Sequence, residues 1–328
     1  MKKYLFVPIL LSFFIFSSLN QPEDNTNKIV QEGTITNLYD AFGKDTTLTP
    51  DFGFSCITKY KGKTILFDAG SNADIFKRNI LQLGIDLTQV DMVVVSHGHF
   101  DHLNGIDYVL QVNPNVKIYF PYDIFWGAPV PFDATGQEAD VKDSLPKYMQ
   151  YFNGGNTKFL IKQSGRFWNA NIEFVKGSKE ILPGLFLIAT SSQYMGYFSC
   201  YPGKSFVEGQ FEQDADHCKN TNLPELSLAM KTDKGEVLIA GCSHTGIENI
   251  VNETMKTTGN NIELLYGGFH LLPFDRPQTL RIVQLLRQDL KIHRVAPAHC
   301  TGHLAFKILK DTFQGDYVYA GLGETISY

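Results

Sequence analysis

The sequence predicts an α/β protein in which two similar halves face each other. Segments rich in Val, Ile and Leu alternate with amphipathic segments along both halves of the 328-residue chain, as strands and helices do in α/β folds. The stretches GKTILFDAG in the first half and KGEVLIAG in the second each predict a hairpin strand that ends in a glycine loop and precedes a helix. This echo predicts a coarse two-fold repeat.

In the first half, runs of β-branched or alternating apolar residues predict strands. The strand segments are TITNLYDAF, FSCITKY, KTILFDAG, VDMVVVSH and VKIYFP, and the helical segments are ADIFKRNILQLG and LNGIDYVLQVNP. The turn-like pair Lys61-Gly62 joins the second and third strands. In the first helix, Ile75, Ile80 and Leu83 recur at helical intervals, and Gly84 ends it.

The second half predicts the same alternation of strands and helices. Its strands are ELSLAMKT, GEVLIAG, IELLYGG, HRVAPAH and DYVYAG, and its helices are GIENIVNETMKT, PQTLRIVQLLRQDL and LAFKILKDTF. A turn at 233–235 makes a hairpin of the first two strands, and a proline opens the second helix, a position that suits its fixed backbone. Between the halves, residues 121–225 have weaker periodicity and many aromatic, glycine and polar residues. We expect a loop-rich insertion there that selects the substrate.

The N-terminal residues have the pattern of a secretory signal peptide. Two lysines precede an apolar run from about Tyr4 to Phe16, and small and polar residues follow. The apolar run is shorter than a membrane span. We therefore expect removal of residues 1–20, a mature domain over 28–328 without a membrane anchor, and a periplasmic or secreted protein.

Composition argues for a small-molecule substrate. The formal net charge is −5 and the isoelectric point is about 6.0, so the chain has no general basic surface and we expect no nucleic-acid partner. The oligomeric state is not predicted by these numbers.

The chain has five cysteines, an odd number for an exported protein. Cys200 and Cys218 flank a polar, glycine-containing segment and are candidates for a surface disulfide. Cys242 and Cys300 each lie near or beside a histidine, which makes them candidates for thiols that line a site. Cys56, in an apolar stretch, is expected to be buried as a small apolar side chain.

The stretch SHGHFDH contains the densest group of metal-binding side chain types in the chain: His97, His99, Asp101 and His102. Residues two apart in an extended segment point to the same side, so His97 and His99 can converge on one ion just past the valine-rich strand. Asp101 and His102 follow a turn and can face a second position. Imidazole and carboxylate ligands suit zinc, with iron or manganese as alternatives.

SHGHFDH matches the His-x-His-x-Asp-His signature of the metallo-β-lactamase superfamily, and LFDAG, GCSHTGIENI, GGFHL and APAHCTG occur along with it in the expected order. On these motifs, the chain resembles the branch of metal-dependent hydrolases related to the dihydropterin-ribofuranosylaminobenzene phosphate synthase. The resemblance covers about Ile35 to Gly323. It implies an α/β (α+β by some schemes) αββα four-layer sandwich, two mixed sheets with outer helices, and a metal site at one edge where the halves meet.

The resemblance also implies roles for individual residues. Two divalent metal ions are expected, zinc in the first place, and the implied ligands are His97, His99, Asp101, His102 and His299. The first two bind one ion and the other three bind the second. Asp101 would also orient the attacking hydroxide, and Asp68 would orient the ligand loop through a hydrogen bond without touching a metal.

Two assignments stay open: the metal ligand after the strand GEVLIAG, where the chain departs from the common superfamily pattern, and the role of His270. Cys242 follows the strand GEVLIAG, where many members have a bridging aspartate. We expect His244, two residues further on, to be a ligand, with Cys242 second and His217 third. His270 is expected in the wall of the site as a catalytic contact to the substrate or transition state, with metal ligation as its alternative.

The expected activity is hydrolysis of an ester, lactone, amide or phosphodiester by a metal-activated hydroxide, without a covalent enzyme intermediate. Three alternatives remain beside this metallo-hydrolase. They are a zinc β-lactamase, a dihydropterin-related phosphate synthase, and a metal-binding protein without turnover.

Overall fold

A computed structural model describes residues 33–123, 126–133, 141–161, 170–200 and 218–328. All of them belong to one compact unit. The predicted signal peptide, residues 1–20, and His217 lie outside the described residues. Among the helices that are described, none is both long enough and apolar enough to cross a bilayer.

The described strands form two large mixed sheets and one separate pair. In chain order, the strands are β1 (Thr34–Tyr39), β2 (Ser55–Tyr60), β3 (Lys63–Phe67), β4 (Met92–Val94), β5 (Lys117–Pro121), β6 (Val130–Asp133), β7 (Lys158–Ile161), β8 (Ile172–Val175), β9 (Lys179–Leu182), β10 (Leu185–Cys200), β11 (Cys218–Thr232), β12 (Gly235–Ala240), β13 (Ile262–Gly268), β14 (Arg294–Ala298) and β15 (Thr325–Ser327). The first sheet has the order β15-β1-β2-β3-β4-β5-β8, and the second has the order β14-β13-β12-β11-β10-β9. Strands β6 and β7 pair with each other.

The described α-helices are α1 (Ala73–Gln82), α2 (Phe100–Leu103), α3 (Ile106–Val112), α4 (Val141–Ser144), α5 (Ile247–Thr258), α6 (Arg276–Gln284) and α7 (His303–Phe313). Helices α1 and α3 pack on the outer face of the first sheet. Helices α5, α6 and α7 pack on the outer face of the second. The predicted αββα sandwich is therefore confirmed.

Alternation along each strand builds these layers. Phe67 and Val94 of the first sheet pack against Ile239 and Tyr266 of the second, in the core between the sheets. Their chain neighbours point the opposite way, since successive side chains of a strand alternate between faces. Leu66, for example, packs in the outer cluster that contains helices α1 and α3. Each sheet thus buries both of its faces.

The two halves share a topology, as the echo between GKTILFDAG and KGEVLIAG predicts. In the first sheet, β2 and β3 are antiparallel, while β3, β4 and β5 run parallel. In the second sheet, β11 and β12 are antiparallel, while β12, β13 and β14 run parallel. The loops after β3, β4, β12 and β13 therefore occupy equivalent places in the two halves.

The prediction of a strand at DYVYAG is wrong. Tyr317 makes only an isolated bridge to Val295, and the Val318 N–H donates to the Val295 carbonyl. The alternating Tyr and Val residues have the sequence pattern of a strand, but their backbone pairs with β14 only at Val295, which is too short a contact to form one. The last strand is instead β15, which pairs antiparallel with β1.

The expectation of a loop-rich insertion over 121–225 is wrong for the part that begins at β8. Strand β8 pairs with β5 at the edge of the first sheet. Strands β9, β10 and β11 belong to the second sheet, where Leu185 and Leu187 are buried between the sheets. The segment therefore supplies core strands as well as loops.

Candidate metal centre

The candidate site residues follow β4 of the first sheet and β12, β13 and β14 of the second, in loops or in the short helix α2. His97 and His99 follow β4, Asp101 and His102 lie in α2, Cys242 and His244 follow β12, His270 follows β13 and His299 follows β14. The loops meet across the sheets, since the Leu226 N–H of β11 donates to the Ser96 carbonyl at 2.7 Å. The structure brings all eight of these residues together.

A first group of donor atoms contains His97, His244 and Cys242, and the ring of His99 lies beside it. The Nε2 atoms of His97 and His244 are 3.2 Å apart. The ring of His99 lies 4.6 Å from that of His97 and 4.7 Å from that of His244, between ring centroids. Cys242 offers a thiol within 4.8 Å of the donor atoms of His97 and His244.

A second group contains Asp101, His102, His299 and the same thiol. Asp101 Oδ2 lies 3.6 Å from His102 Nε2 and 3.4 Å from His299 Nε2. The Sγ atom of Cys242 lies 3.3 Å from each of these two Nε2 atoms. Cys242 is therefore the common member of both groups.

These separations fit the donor spacing of a tetrahedral metal ion. Bonds of about 2.0–2.3 Å to nitrogen, oxygen and sulfur place neighbouring ligand atoms roughly 3.3–3.8 Å apart. The distances within the second group, 3.3–3.6 Å, fall in that range. The residues that are present fit divalent ions of the zinc type.

The protonation of the groups also favours metal binding, because metal ligands must be unprotonated. Burial and neighbouring imidazoles hold the pKa of His97 well below its usual range. Burial, with the adjacent His270, lowers the pKa of His244 to about 2. Burial alone would raise the pKa of Asp101, but His102 and His299 lower it below its usual range. The imidazoles of His97 and His244 are therefore neutral, and the carboxylate of Asp101 is ionised. Burial alone would lower the pKa of His299, but Cys300 and Asp101 raise it to about 10, so this imidazole has to release a proton when a metal binds.

Cys242 behaves differently from the histidines. Its burial raises the pKa of the thiol well above its usual range. A bound cation reverses this effect, since a coordinating thiol loses its proton. Cys242 can therefore serve as a thiolate ligand once a metal is present.

Asp68 orients the ligand loop through hydrogen bonds and lies at the end of β3. Its Oδ2 atom is 2.7 Å from His102 Nδ1, and it also accepts a hydrogen bond from Ser96 Oγ at 2.7 Å. Its Oδ1 accepts the Ser96 N–H at 2.6 Å. Ser96 Oγ is in turn 2.9 Å from His97 Nδ1. The Nδ1 atoms of both histidines are thus occupied, and their Nε2 atoms face the cluster.

Two further buried carboxylates hold ligand loops and were not found from the sequence. Glu225 accepts the N–H groups of His244 at 2.9 Å and Thr245 at 2.8 Å. Asp40 accepts the N–H of His299 at 3.1 Å. The available signal was an acidic residue within or directly after an apolar strand, where burial demands a hydrogen-bonded partner.

Backbone strain is concentrated at the same place. Four residues that are not glycine have left-handed φ angles here: Asp68 at 56°, Ser243 at 69°, His270 at 48° and His299 at 48°. Such conformations cost about 1–3 kcal/mol each and persist where the surrounding structure imposes them. This strain accompanies the loops that carry candidate ligands.

His270 lies next to the first group and contacts a second cysteine. Its ring centroid is 4.4 Å from that of His244. Its side chain makes a hydrogen bond with Cys300, whose Sγ is 3.4 Å from that of Cys242. Both sequence alternatives for His270, substrate contact and ligation, are compatible with this place.

Exposed apolar side chains border the cluster. Phe52 is 47% exposed, and its ring lies 5.0 Å from that of His299. Phe100, between His99 and Asp101 in sequence, is 62% exposed, and Leu272, two residues after His270, is equally exposed. These three side chains are called the apolar rim below.

The structure also bears on the state of the cysteines. Cys56, Cys242 and Cys300 are free and buried, in agreement with the sequence expectation for Cys56. The backbone register pairs Cys200 with Cys218 across the hairpin of β10 and β11. A disulfide between these two stays a prediction.

Comparison with known proteins agrees with the fold and the motif. The model of the metallo-beta-lactamase superfamily matches residues 48–159. The 7,8-dihydropterin-6-methyl-4-(beta-D-ribofuranosyl)-aminobenzene-5'-phosphate synthase of Methanocaldococcus jannaschii is 27% identical over 270 residues, 81% of this chain and 85% of that protein. An uncharacterized protein of the same organism is 29% identical over 281 residues, 84% of this chain and 92% of its own length.

A solved structure with the same fold is Tm1679, described as a metal-dependent hydrolase of the beta-lactamase superfamily. It superimposes with a TM-score of 0.63 at 23% identity and covers 90% of this chain and 99% of its own. Residues 48–159 are thus similar in sequence to the metallo-β-lactamase superfamily, and the chain shares the fold of Tm1679. Over most of its length, it is similar in sequence to the archaeal synthase.

Proposed function

We propose that the protein is a metal-dependent hydrolase that uses two divalent ions to cleave an ester, lactone, amide or phosphodiester. The observation that carries this proposal is the pair of donor groups that share Cys242. When bound, zinc ions, or iron or manganese in their place, would supply an activated water and polarise the oxygen of the substrate.

We assign the metal ligands and the residue that orients the attacking water from the two donor groups. His97, His99 and His244 would hold one ion, Asp101, His102 and His299 would hold the other, and Cys242 offers its thiol to both groups. Asp101 also accepts a hydrogen bond from the attacking water and orients it toward the substrate, a role that its lowered pKa supports. No serine or cysteine nucleophile is required.

The apolar rim supports a substrate with an apolar group beside the bond that is cleaved. Phe52 offers an exposed ring 5.0 Å from that of His299, and Phe100 is an exposed residue between His99 and Asp101 in the chain. Burial of such surface contributes about 25 cal/mol per Å² to binding. A small molecule with an aromatic or aliphatic arm therefore suits this site better than a small, fully polar one.

A substrate screen on metal-analysed protein tests the hydrolase. The panel contains p-nitrophenyl acetate, p-nitrophenyl octanoate, an aliphatic lactone, bis-p-nitrophenyl phosphate and a chromogenic cephalosporin. We expect metal-dependent hydrolysis of at least one compound, the octanoate in preference to the acetate, and no turnover by Asp101→Asn. Turnover of the cephalosporin alone would indicate the zinc β-lactamase alternative. Metal-loaded protein that cleaves nothing in the panel would favour a metal-binding protein without turnover.

A second candidate is a phosphate synthase-type activity, which the similarity to the archaeal synthase over most of both chains favours. Incubation with a dihydropterin donor and a ribofuranosylaminobenzene 5′-phosphate acceptor tests it. Appearance of the joined product by mass spectrometry would support the synthase. Its absence, together with hydrolysis in the panel, would support the hydrolase.

We also propose that the protein acts after export, in the periplasm or outside the cell. The support is the lysine-led apolar run at the N-terminus.

A further inference from the structure

A third group of metal-binding side chains lies beside the two that the proposed hydrolase uses. Cys242, His270 and Cys300 offer donor atoms that are all within 4.8 Å of one another. The two cysteines are buried, at 4% and 3% exposure, and His270 is half-buried. Only Cys242 is common to this group and the other two, and the two-metal centre proposed above does not use His270 or Cys300 as a ligand.

The contacts within this group place its donors around one point. Cys300 Sγ lies 3.4 Å from Cys242 Sγ and bonds the side chain of His270. Two sulfurs bound to one zinc-type ion at about 2.3 Å in tetrahedral geometry are roughly 3.8 Å apart. The thiols therefore need to separate by only a few tenths of an ångström to accept an ion.

Hydrogen bonds outside the group fix the two loops that carry His270 and Cys300. The Leu272 N–H donates to the Cys300 carbonyl at 3.3 Å. The Phe269 N–H donates to Thr301 Oγ1 at 3.1 Å. The residues on either side of His270 are thus tied to Cys300 and its neighbour. This arrangement holds the imidazole and the thiol opposite each other before any ligand binds.

We propose that Cys242, His270 and Cys300 bind a thiophilic metal ion, of the class of Zn²⁺, Cd²⁺ or Cu⁺. Two sulfurs and one imidazole form a softer donor set than either histidine group, and soft ligands select such ions. Cys242 links this ion to the neighbouring donor groups. The site assigns His270 to ligation, which is the second of its two sequence alternatives.

Cadmium binding to the full chain tests the proposal without any substrate. Metal-free, reduced protein is titrated with Cd²⁺ under anaerobic conditions, and the ultraviolet cadmium–thiolate absorption is read together with bound cadmium. The titration uses a Cys200→Ser/Cys218→Ser background, which removes the two cysteines that are predicted to form a disulfide. In this background, we expect the absorption of two thiolates per chain, from Cys242 and Cys300. Cys300→Ser should lose half of it and bind one ion fewer. His270→Gln should keep both thiols but bind this ion at least about tenfold more weakly, as loss of a partner at a metal site does.

Cys56→Ala is the matched control, because Cys56 is a free, buried cysteine outside all three groups. It should leave the cadmium–thiolate absorption unchanged. Equal absorption by the background protein with and without Cys300→Ser would overturn the proposal, as would unchanged affinity of a folded His270→Gln protein. Because no hydrolysis is measured, these outcomes are separate from failure of the proposed hydrolase.

Discussion

Asp68 and His102 form a fully buried carboxylate–imidazole pair, with Asp68 Oδ2 2.7 Å from His102 Nδ1. The Nδ1–H of His102 donates to the carboxylate, which leaves the lone pair of Nε2 directed at Asp101 and Cys242. A hydrogen bond of this kind fixes both the tautomer and the orientation of a metal-binding histidine.

Asp68→Asn should lower metal affinity by about 10- to 100-fold, the usual cost of losing such a partner. The amide has one acceptor oxygen, so it cannot accept both from the Ser96 N–H, which bonds Oδ1, and from His102 Nδ1, which bonds Oδ2. Competition with a chromogenic chelator measures the effect. Asp311→Asn is the control, since Asp311 is an exposed aspartate on α7. Equal affinity of the two variants would show that Asp68 does not support the site.

Glu225→Gln should weaken metal binding at the His244 loop while the protein stays folded. The carboxylate accepts the N–H groups of His244 and Thr245 with separate oxygens, and a glutamine has only one acceptor for them. We expect a loss of about tenfold in metal affinity. Isothermal titration with zinc and the circular dichroism spectrum check both parts. A variant that binds zinc as the wild type does contradicts the positioning role.

His244→Ala should reduce the metal content of the purified protein, because it removes a donor 3.2 Å from His97 Nε2. Elemental analysis of dialysed samples measures the change. His293→Ala is the control, since the His293 side chain is 57% exposed and bonds Glu263 instead of the cluster. Full metal content in His244→Ala would leave Cys242 as the remaining expected ligand after β12.

Export should remove about the first 20 residues, the usual extent of a signal peptide. Mass spectrometry of the periplasmic or secreted protein, expressed from the full gene, gives the N-terminus directly. Recovery of the protein only in the cytoplasm with Met1 intact would contradict export. It would also remove the argument for a disulfide between Cys200 and Cys218.

The ligand candidates could be predicted from the sequence because their chemistry is local. His97, His99, Asp101 and His102 lie within six consecutive positions, and the family resemblance predicted His299. The choice between Cys242 and His244 stayed open for a physical reason. The turn after β12 directs both side chains into the cluster, where His244 belongs to the first group and Cys242 belongs to all three. Spacing alone does not reveal such a turn.

The supporting carboxylates Asp40 and Glu225, unlike Asp68, were not predicted, because their partners are distant in sequence. Asp40 holds a loop 259 positions away, and Glu225 holds one 19 positions away. The same limit applies to the last strand. The alternation in DYVYAG is a local pattern, whereas the pairing of β15 with β1 joins the two ends of the domain. Long-range contacts of this kind depend on the assembled fold.

Removal and return of metal, with hydrolysis measured on the same sample, is the most direct test of a metal-dependent hydrolase. The protein is stripped with a chelator, assayed with the substrate found in the screen, and then supplied with zinc in steps. We predict no hydrolysis by the metal-free protein and recovery as zinc binds, because the donor groups offer no other means of activating water. Hydrolysis that persists without metal, or that fails to return when zinc is bound, would contradict the account.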